Sequence, residues 1–231
     1  MELKNIKYSI KNKVILNNLN TKFENKGINL IIGPNGSGKS TILKLLHQIN
    51  KPTSGEIIFK NKNLNEYKNI NKEIAYLGQY NSIFHKVDLL YFLKLNRYIK
   101  TGSLNLDDYT KWIIELFSLE NFLKQSLVSL SGGERQKAIL ASVFLLEKDS
   151  ILLDEPFSYL DISAKLELSE IIEKNFLDKM IIIVSHNLKI FKNIKKVTAL
   201  KNGEIFFDDK SINNTKLEEL FDIKGSNYFL G

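Results

Sequence analysis

The residues of this chain that can do chemistry start with a glycine-rich run that ends in a lysine and two hydroxyl side chains. The run reads Gly33, Pro34, Asn35, Gly36, Ser37, Gly38, Lys39, Ser40 and Thr41. It fits the phosphate-binding loop pattern G-x-x-x-x-G-K-[ST], in which glycines let successive backbone N–H groups turn toward phosphate oxygens. Lys39 would bring a positive charge to the β- and γ-phosphates, and Ser40 would offer a hydroxyl to Mg²⁺. A glycine turn before a helix is the alternative, but it does not explain why the Lys-Ser pair stands in register.

Two adjacent carboxylates, Asp154 and Glu155, end a short apolar segment at residues 150–153. At a strand tip beside the phosphate loop, Asp154 would hold Mg²⁺ directly or through water. Glu155 would orient and deprotonate an attacking water molecule. By themselves the two carboxylates could equally be a polar strand end that enters a turn at Pro156. The phosphate loop upstream favours the catalytic interpretation.

A third motif, Leu-Ser-Gly-Gly-Glu-Arg-Gln at residues 130–136, starts a helix predicted to run to about Leu146. Ser131 can cap this helix, with Glu134 at the spacing of a capping box. Gly132 and Gly133 lower the stability of a helix start, so their bare backbone indicates a further use. A second anion site at the helix N-terminus would be such a use, and it is compatible with capping.

The spacing of apolar residues predicts the elements that position these motifs. Residues 28–32 form a short apolar run before the phosphate loop, typical of a strand buried on both faces, and residues 40–49 have helical spacing. Other strands are predicted at residues 6–10, 14–16, 56–60 and 74–77, and in the second half only at 150–153 and 180–184. Residues from about 83 to 130 have helical spacing instead. The pattern predicts an α/β core in two halves of the sequence with a helical lobe inserted between them.

Composition narrows the class of protein. The chain has 231 residues, of which 43% are hydrophobic and 26% charged, and this suits one globular domain with an inserted lobe. The absence of cysteine excludes a disulfide framework and a thiol nucleophile. No apolar run approaches the roughly 20 residues that span a bilayer, and the first residues lack the apolar core of a secretion signal, so we do not expect secretion. The net charge of +7 is scattered through loops, so we expect no nucleic-acid partner.

The three motifs, in this order and spacing, resemble those of the nucleotide-binding subunit of ATP-binding cassette (ABC) transporters, over essentially the whole chain. The resemblance implies a P-loop NTPase core of the ABC ATPase type, with an antiparallel β subdomain and an inserted helical subdomain. It implies a single domain over 1–231, with the core in 1–80 and 150–231 and the helical subdomain at about 81–149. In this family two subunits face each other head to tail around ATP. The residues that would serve the partner's ATP are Leu130, Ser131, Gly132, Gly133, Glu134 and Gln136.

The resemblance also assigns single positions. Gln79 would contact Mg²⁺ and the lytic water and join the core to the helical lobe, although by itself it could be a surface glutamine. His186 matches a histidine that contacts the γ-phosphate and acts in catalysis with Glu155 and Lys39, whereas a lone histidine is ordinarily structural. Tyr8 would stack on adenine, or it could simply belong to a strand core. The loop that crosses the dimer interface would contain Ser158, Leu160 and Asp161.

Residues 88–98 and 159–168 resemble the branch of the family that imports metal chelates such as ferric siderophores, haem and cobalamin, or metal ions. The implied protein hydrolyses ATP with Mg²⁺ at the cytoplasmic face of the cell membrane, as a peripheral subunit. Its implied partners are a second copy of itself, integral membrane permease subunits and, indirectly, an extracytoplasmic substrate-binding protein. An ABC exporter subunit is the alternative, because its motifs are the same. A non-transport ABC ATPase acting on nucleic acid would need a coiled-coil insertion or a second cassette, for which 231 residues leave no room.

Overall fold

The computed structural model describes residues 1–79, 86–158, 160–186, 190–210 and 214–222. Along these ranges the strands and helices are β1 (Glu2–Ile10), β2 (Lys13–Lys22), β3 (Gly27–Ile32), α1 (Lys39–Leu46), β4 (Ser54–Phe59), β5 (Lys62–Asn63), β6 (Ile74–Leu77), α2 (Leu89–Thr101), α3 (Asp108–Leu116), α4 (Gly132–Phe144), β7 (Ser150–Asp154), α5 (Ile162–Asn175), β8 (Met180–Val184), β9 (Ile194–Lys201), β10 (Glu204–Asp209) and α6 (Asn214–Phe221). No helix within the described ranges is both long enough and apolar enough to cross a bilayer.

The larger sheet has the strand order β10-β9-β3-β8-β7-β6 within the described residues. Its strands pair in parallel from β9 to β6, and β10 pairs with β9 in the antiparallel sense. Every residue of β3, β7 and β8 is buried. Central strands covered on both faces are mostly apolar, and for this reason the sequence shows short apolar runs at these places rather than alternation. The buried exception within β3 is Asn29, whose side chain bonds to the backbone of Glu24.

The smaller sheet is antiparallel, with the order β2-β1-β4-β5. A hairpin joins β1 to β2, with Lys11 and Asn12 at its tip. The inner face of this sheet packs on α1 in one apolar cluster that includes Leu3, Leu16 and Ile42. This packing fixes the helix that follows the phosphate loop against both sheets.

The helices α2, α3 and α4 lie between β6 and β7 in the chain and share the other apolar cluster. Arg97 of α2 joins them, although only 6% of its surface is exposed. Its guanidinium lies 2.7 Å from Asp107, which caps α3, and 3.2 Å from Glu147, which follows α4. Burial raises the pKa of Asp107, but hydrogen bonds from Thr110 and Arg97 outweigh it and bring the pKa to about 2. The lobe therefore carries a buried ionic connection between all three helices.

Two expectations about the elements are corrected. Strands β9 and β10 follow β8, whereas the sequence analysis placed strands in this half only at β7 and β8. The sequence of β9 does not look buried because two lysines follow its first residue, Ile194; one of them, Lys196, pairs with Asp208 of β10 at 2.7 Å. Helix α1 ends at Leu46 rather than at Ile49, because Gln48 adopts a left-handed conformation (φ 57°) and leaves Ile49 54% exposed.

Candidate nucleotide-binding site

The carboxyl ends of four neighbouring parallel strands converge at one edge of the larger sheet. The phosphate loop follows β3, His186 lies just beyond β8, Asp154 and Glu155 stand at the end of β7, and Gln79 comes after β6. Ligands of open parallel sheets bind at this edge because the loops there point the same way. The topology thus brings together residues that are more than a hundred positions apart in the chain.

The backbone of the phosphate loop leaves no room for a side chain at its first glycine. Gly33 has φ 147°, and a Cβ there would lie 2.1 Å from the carbonyl oxygen of Leu200. Gly36 also has a positive φ, 78°, but a Cβ there would meet no atom within 4 Å, so this side of the loop is open. The hydroxyl oxygen of Ser37 is buried and has no hydrogen-bond partner among the described residues. An open loop with a buried hydroxyl that lacks a partner fits a bound anion.

The ammonium of Lys39 is held inside the loop. Its Nζ donates hydrogen bonds to the carbonyl oxygens of Gly33 and Pro34, each at 2.9 Å, and the residue is 6% exposed. Burial lowers the pKa of Lys39, and the negative charges of Glu155 and Asp154 partly oppose this effect. The loop therefore holds a cation on backbone dipoles alone, and phosphate oxygens could replace these dipoles as its partners.

Asp154 and Ser40 form a pair of oxygen donors. The Ser40 hydroxyl donates to Asp154 Oδ1 at 3.0 Å, while the buried Oδ2 has no partner in the described part of the chain. Burial raises the pKa of Asp154, and the charge of Glu155 acts in the same direction, against the hydrogen bond from Ser40. A hydroxyl beside a carboxylate oxygen without a partner suits Mg²⁺, which prefers hard oxygen ligands and keeps one or two protein carboxylates beside phosphates. The residues present thus fit the metal.

Glu155 is held on three sides. It adopts a left-handed backbone conformation (φ 50°), and its N–H donates to the carbonyl oxygen of Val184 at 2.9 Å. Its carboxylate lies 2.9 Å from His186 Nε2 and accepts a hydrogen bond from the Ser158 hydroxyl at 3.0 Å. This conformation is sterically unfavourable for a residue with a side chain, and the surrounding contacts impose it here. The contacts fix the carboxylate of Glu155 at the edge of the sheet that also carries Lys39.

The motif at residues 130–136 starts α4 as a capping box, which confirms that part of the sequence analysis. The Ser131 hydroxyl accepts the N–H of Glu134 at 3.3 Å, and the Glu134 carboxylate accepts the N–H of Ser131 at 2.9 Å. Ser131 and Gly132 are exposed, and a Cβ on Gly132 would meet no atom within 4 Å. Leu130, only 3% exposed, anchors the motif in the core. The helix start is thus an open surface with backbone N–H groups at its end.

Two side chains of the same motif contact their own chain. Gln136 donates to the carbonyl oxygen of Pro156 at 2.6 Å and so connects α4 to the turn that carries Glu155. Arg135, to which the sequence analysis gave no role, donates to the carbonyl oxygens of Leu127, Val128 and Leu130. In the sequence, only the position of Arg135 inside this motif could have indicated a role for it. These contacts fix the direction of the helix start relative to the carboxylates.

The remaining predicted positions lie around this centre. Tyr8 is half-buried on β1, opposite Leu16, whose side chain a Cβ on Gly38 would approach to 2.4 Å. Tyr8 therefore borders the strand that supports the phosphate loop, and adenine stacking stays a prediction. Gln79 is exposed just beyond β6.

In the loop assigned to the dimer interface, Leu160 is 7% exposed and the carboxylate of Asp161 caps α5 by accepting the N–H of Ala164 at 2.8 Å. Tyr159, between Ser158 and Leu160, lies outside the described residues.

The fold and the site together define a phosphate-loop nucleotide-binding protein, and comparison with known proteins gives its family. Residues 16–158 match the ABC transporter family, and the chain belongs to that family, as the sequence motifs predict. The petrobactin import ATP-binding protein YclP of Bacillus subtilis is 29% identical over 235 residues, 96% of this chain and 93% of that protein. The zinc import ATP-binding protein ZnuC of Pasteurella multocida is 35% identical over 194 residues, 82% of this chain and 68% of that protein.

Solved structures confirm the fold that the sequence analysis expected. The dimeric structure of the bacterial ABC transporter cassette MJ0796 has a TM-score of 0.78 at 23% identity, covering 92% of this chain and 99% of that chain. The nucleotide-binding core with an antiparallel sheet and an inserted helical lobe is therefore shared with known cassettes.

Proposed function

We propose that this chain binds and hydrolyses ATP as the ATP-binding subunit of an ABC importer for a metal chelate or a metal ion. The observation that carries the proposal is the position of Glu155, held by His186 and Ser158 at the sheet edge that also carries the phosphate loop. Membership of the ABC transporter family supports ATP as the nucleotide. The similarity to proteins named for petrobactin and zinc import supports import of a metal species.

Each residue of the site has a part in the reaction. The backbone N–H groups of the phosphate loop and the Lys39 ammonium bind the phosphates. Ser40, Asp154 and Gln79 would hold Mg²⁺, which supplies positive charge against the phosphate oxygens when bound. Glu155 accepts a proton from water as the water oxygen bonds to the γ-phosphorus and the bond from that phosphorus to the bridging oxygen of ADP breaks. His186 keeps the Glu155 carboxylate in place and contacts the γ-phosphate.

A second copy of the chain would complete the site. In one copy the phosphate loop is open at Gly36, and the exposed helix start at Ser131 and Gly132 offers N–H groups to an anion. Two copies arranged head to tail would place this helix start of one on the phosphates held by the other. The loop of Ser158, Leu160 and Asp161 would lie in the interface. ATP would thus hold the dimer together, and its hydrolysis would release it.

The membrane partner would dock on the inserted helical lobe, for which we propose the boundaries 81–149 within a single domain. On α2, Leu89 and Leu93 are fully buried, while Tyr91 and Leu95 are each 47% exposed. The outward apolar side chains support contact with permease subunits, and we propose on this basis a peripheral position at the cytoplasmic face of the membrane. An extracytoplasmic substrate-binding protein would act through the permease.

The test is Glu155→Gln, with Glu170→Gln on the exposed face of α5 as the matched control. We expect Glu155→Gln to keep ATP affinity within about threefold while hydrolysis falls by about 10²- to 10⁴-fold, the range for loss of a general base. The control should keep both. Hydrolysis at the normal rate in Glu155→Gln would contradict the role of this carboxylate. Co-purification from membranes would identify the permease, and recovery of nucleic acid instead would contradict transport.

A further inference from the structure

A cavity of about 240 Å³ opens beside Glu155. It is lined by Glu155, Phe157, Ser158, Lys165, Ser185 and His186. Its volume lies below the roughly 300–1,000 Å³ of pockets that enclose drug-sized ligands, so it suits a small ion better than a nucleotide. Of its lining residues, Phe157, Lys165 and Ser185 have no part in the reaction described above, and Lys165 is the charged one among the three.

Lys165 is a half-buried lysine with no counter-charge among the residues that the structure describes. It stands in the first turn of α5, where its N–H donates to the carbonyl oxygen of Asp161 at 3.0 Å. In the part of the chain that the structure describes, its ammonium forms no hydrogen bond or ion pair. By contrast, Lys174 at the end of the same helix pairs with Glu170 at 2.7 Å. A lysine that lines a cavity and has no counter-charge among the described residues can bind an anionic ligand there as a point charge.

The other cavity groups suit an anion that keeps one proton. The carboxylate of Glu155 is already a partner of His186 and Ser158, and it would repel an anion that offered acceptors alone. Hydrogen phosphate retains an O–H at neutral pH, which can donate to this carboxylate while its charged oxygens face Lys165. Glu155 also interacts electrostatically with Lys39 of the phosphate loop. The cavity is therefore next to the place where ATP hydrolysis would produce phosphate.

We propose that this cavity binds inorganic phosphate as it leaves the hydrolysis site, with Lys165 as its cationic contact. The inference rests on the proposed ATPase function for the origin of the phosphate, but the binding site can be tested without turnover. Lys165 would hold the product phosphate beside Glu155 once it has separated from ADP.

The experiment measures equilibrium binding of radiolabelled inorganic phosphate to the full chain saturated with ADP and Mg²⁺, so that the phosphate loop is occupied. Lys165→Gln should weaken phosphate binding about tenfold, the effect of losing one charge-assisted hydrogen bond. Lys165→Arg keeps the charge and should bind within about threefold of the unmodified chain. Lys174→Gln is the matched control, since it makes the same change on the same helix outside the cavity, and should leave binding unchanged. Thermal unfolding of each variant establishes that it is folded.

Equal phosphate affinity in Lys165→Gln and the unmodified chain would overturn this inference, as would an unmodified chain that binds no phosphate. ATP hydrolysis is assayed separately. An unmodified chain that binds phosphate through Lys165 but never hydrolyses ATP would reject the proposed function and keep the site. An active enzyme with unchanged affinity in Lys165→Gln would reject only the site.

Discussion

Replacing Lys39 by methionine should separate nucleotide binding from folding. Lys39 is buried, and among the described residues its ammonium bonds only to the carbonyl oxygens of Gly33 and Pro34. Hydrogen bonds to a charged group contribute about 1.5–3 kcal/mol each. Taking the ammonium out of water costs several kcal/mol, so the two effects nearly cancel. Methionine keeps most of the apolar stem, and we expect the free energy of unfolding to change by no more than about 1 kcal/mol.

The effect of Lys39→Met on ATP binding should be far larger. Truncating one partner of a desolvated charge pair costs about 2–5 kcal/mol, which is roughly a 30- to 4,000-fold rise in Kd. Urea unfolding gives the stability, and equilibrium binding of a fluorescent ATP analogue gives the affinity. Lys44→Met, on the exposed side of α1, is the matched control and should change neither quantity appreciably. Stability lowered by more than 2 kcal/mol with ATP affinity within tenfold would show that Lys39 is structural and would refute this reasoning.

Three further predictions concern stability. Gly33→Ala should lower the free energy of unfolding by about 2–4 kcal/mol, because its Cβ would overlap a backbone carbonyl. Gly36→Ala, where the Cβ would lie in open space, should lower it by only about 1–2 kcal/mol because of the positive φ. Urea unfolding compares the two variants, and equal losses would contradict the steric argument. Ser131→Ala should lower stability by about 1 kcal/mol through loss of the helix cap, and a loss below 0.3 kcal/mol in the same assay would contradict it. The pKa of Asp107 is about 2 in the folded chain and 3.8 as its ordinary value, so its contribution to stability is present above pH 3.8 and is lost as the pH falls toward 2. Because solvent reaches this carboxylate, we expect it to contribute about 1 kcal/mol to the free energy of unfolding. Arg97→Met should remove most of this pH dependence in acid titrations followed by circular dichroism. Acid unfolding at the same pH values in Arg97→Met and the unmodified chain would contradict the pairing.

Local, contiguous patterns made much of this site predictable from the sequence. The phosphate loop, the carboxylate pair and the capping box each lie within a few consecutive residues. Buried parallel strands are also local, because short apolar runs in the sequence indicate them. The order of the motifs then gave the family and the fold. The shared edge of β3, β8, β7 and β6 follows from that fold, because parallel strands carry their loops at the same end.

Contacts between distant residues were not predictable. Strand β9 was missed because Lys196 and Thr198 look unlike strand core. Their burial is favourable because Asp208 of β10 pairs with both, and because Lys196 also donates to the carbonyl oxygen of Lys22. The bond from Gln136 to Pro156 joins residues 20 positions apart in different elements. The sequence analysis gave Lys165 no role of its own, although it lies within the run 159–168 that resembles metal-chelate importers. The proposed role of Lys165 rests on the cavity that it lines, and this cavity forms only where α5 packs near the edge of the sheet.

The central claim is that two copies of this chain complete each other's ATP site. The most direct measurement is the molar mass, by light scattering, of Glu155→Gln with saturating ATP and Mg²⁺. We predict that the mass doubles from 26.6 kDa on addition of ATP and that adding Ser131→Arg abolishes the doubling while ATP still binds. A chain that binds ATP fully yet stays at 26.6 kDa, or that still dimerises with arginine at position 131, would contradict the claim.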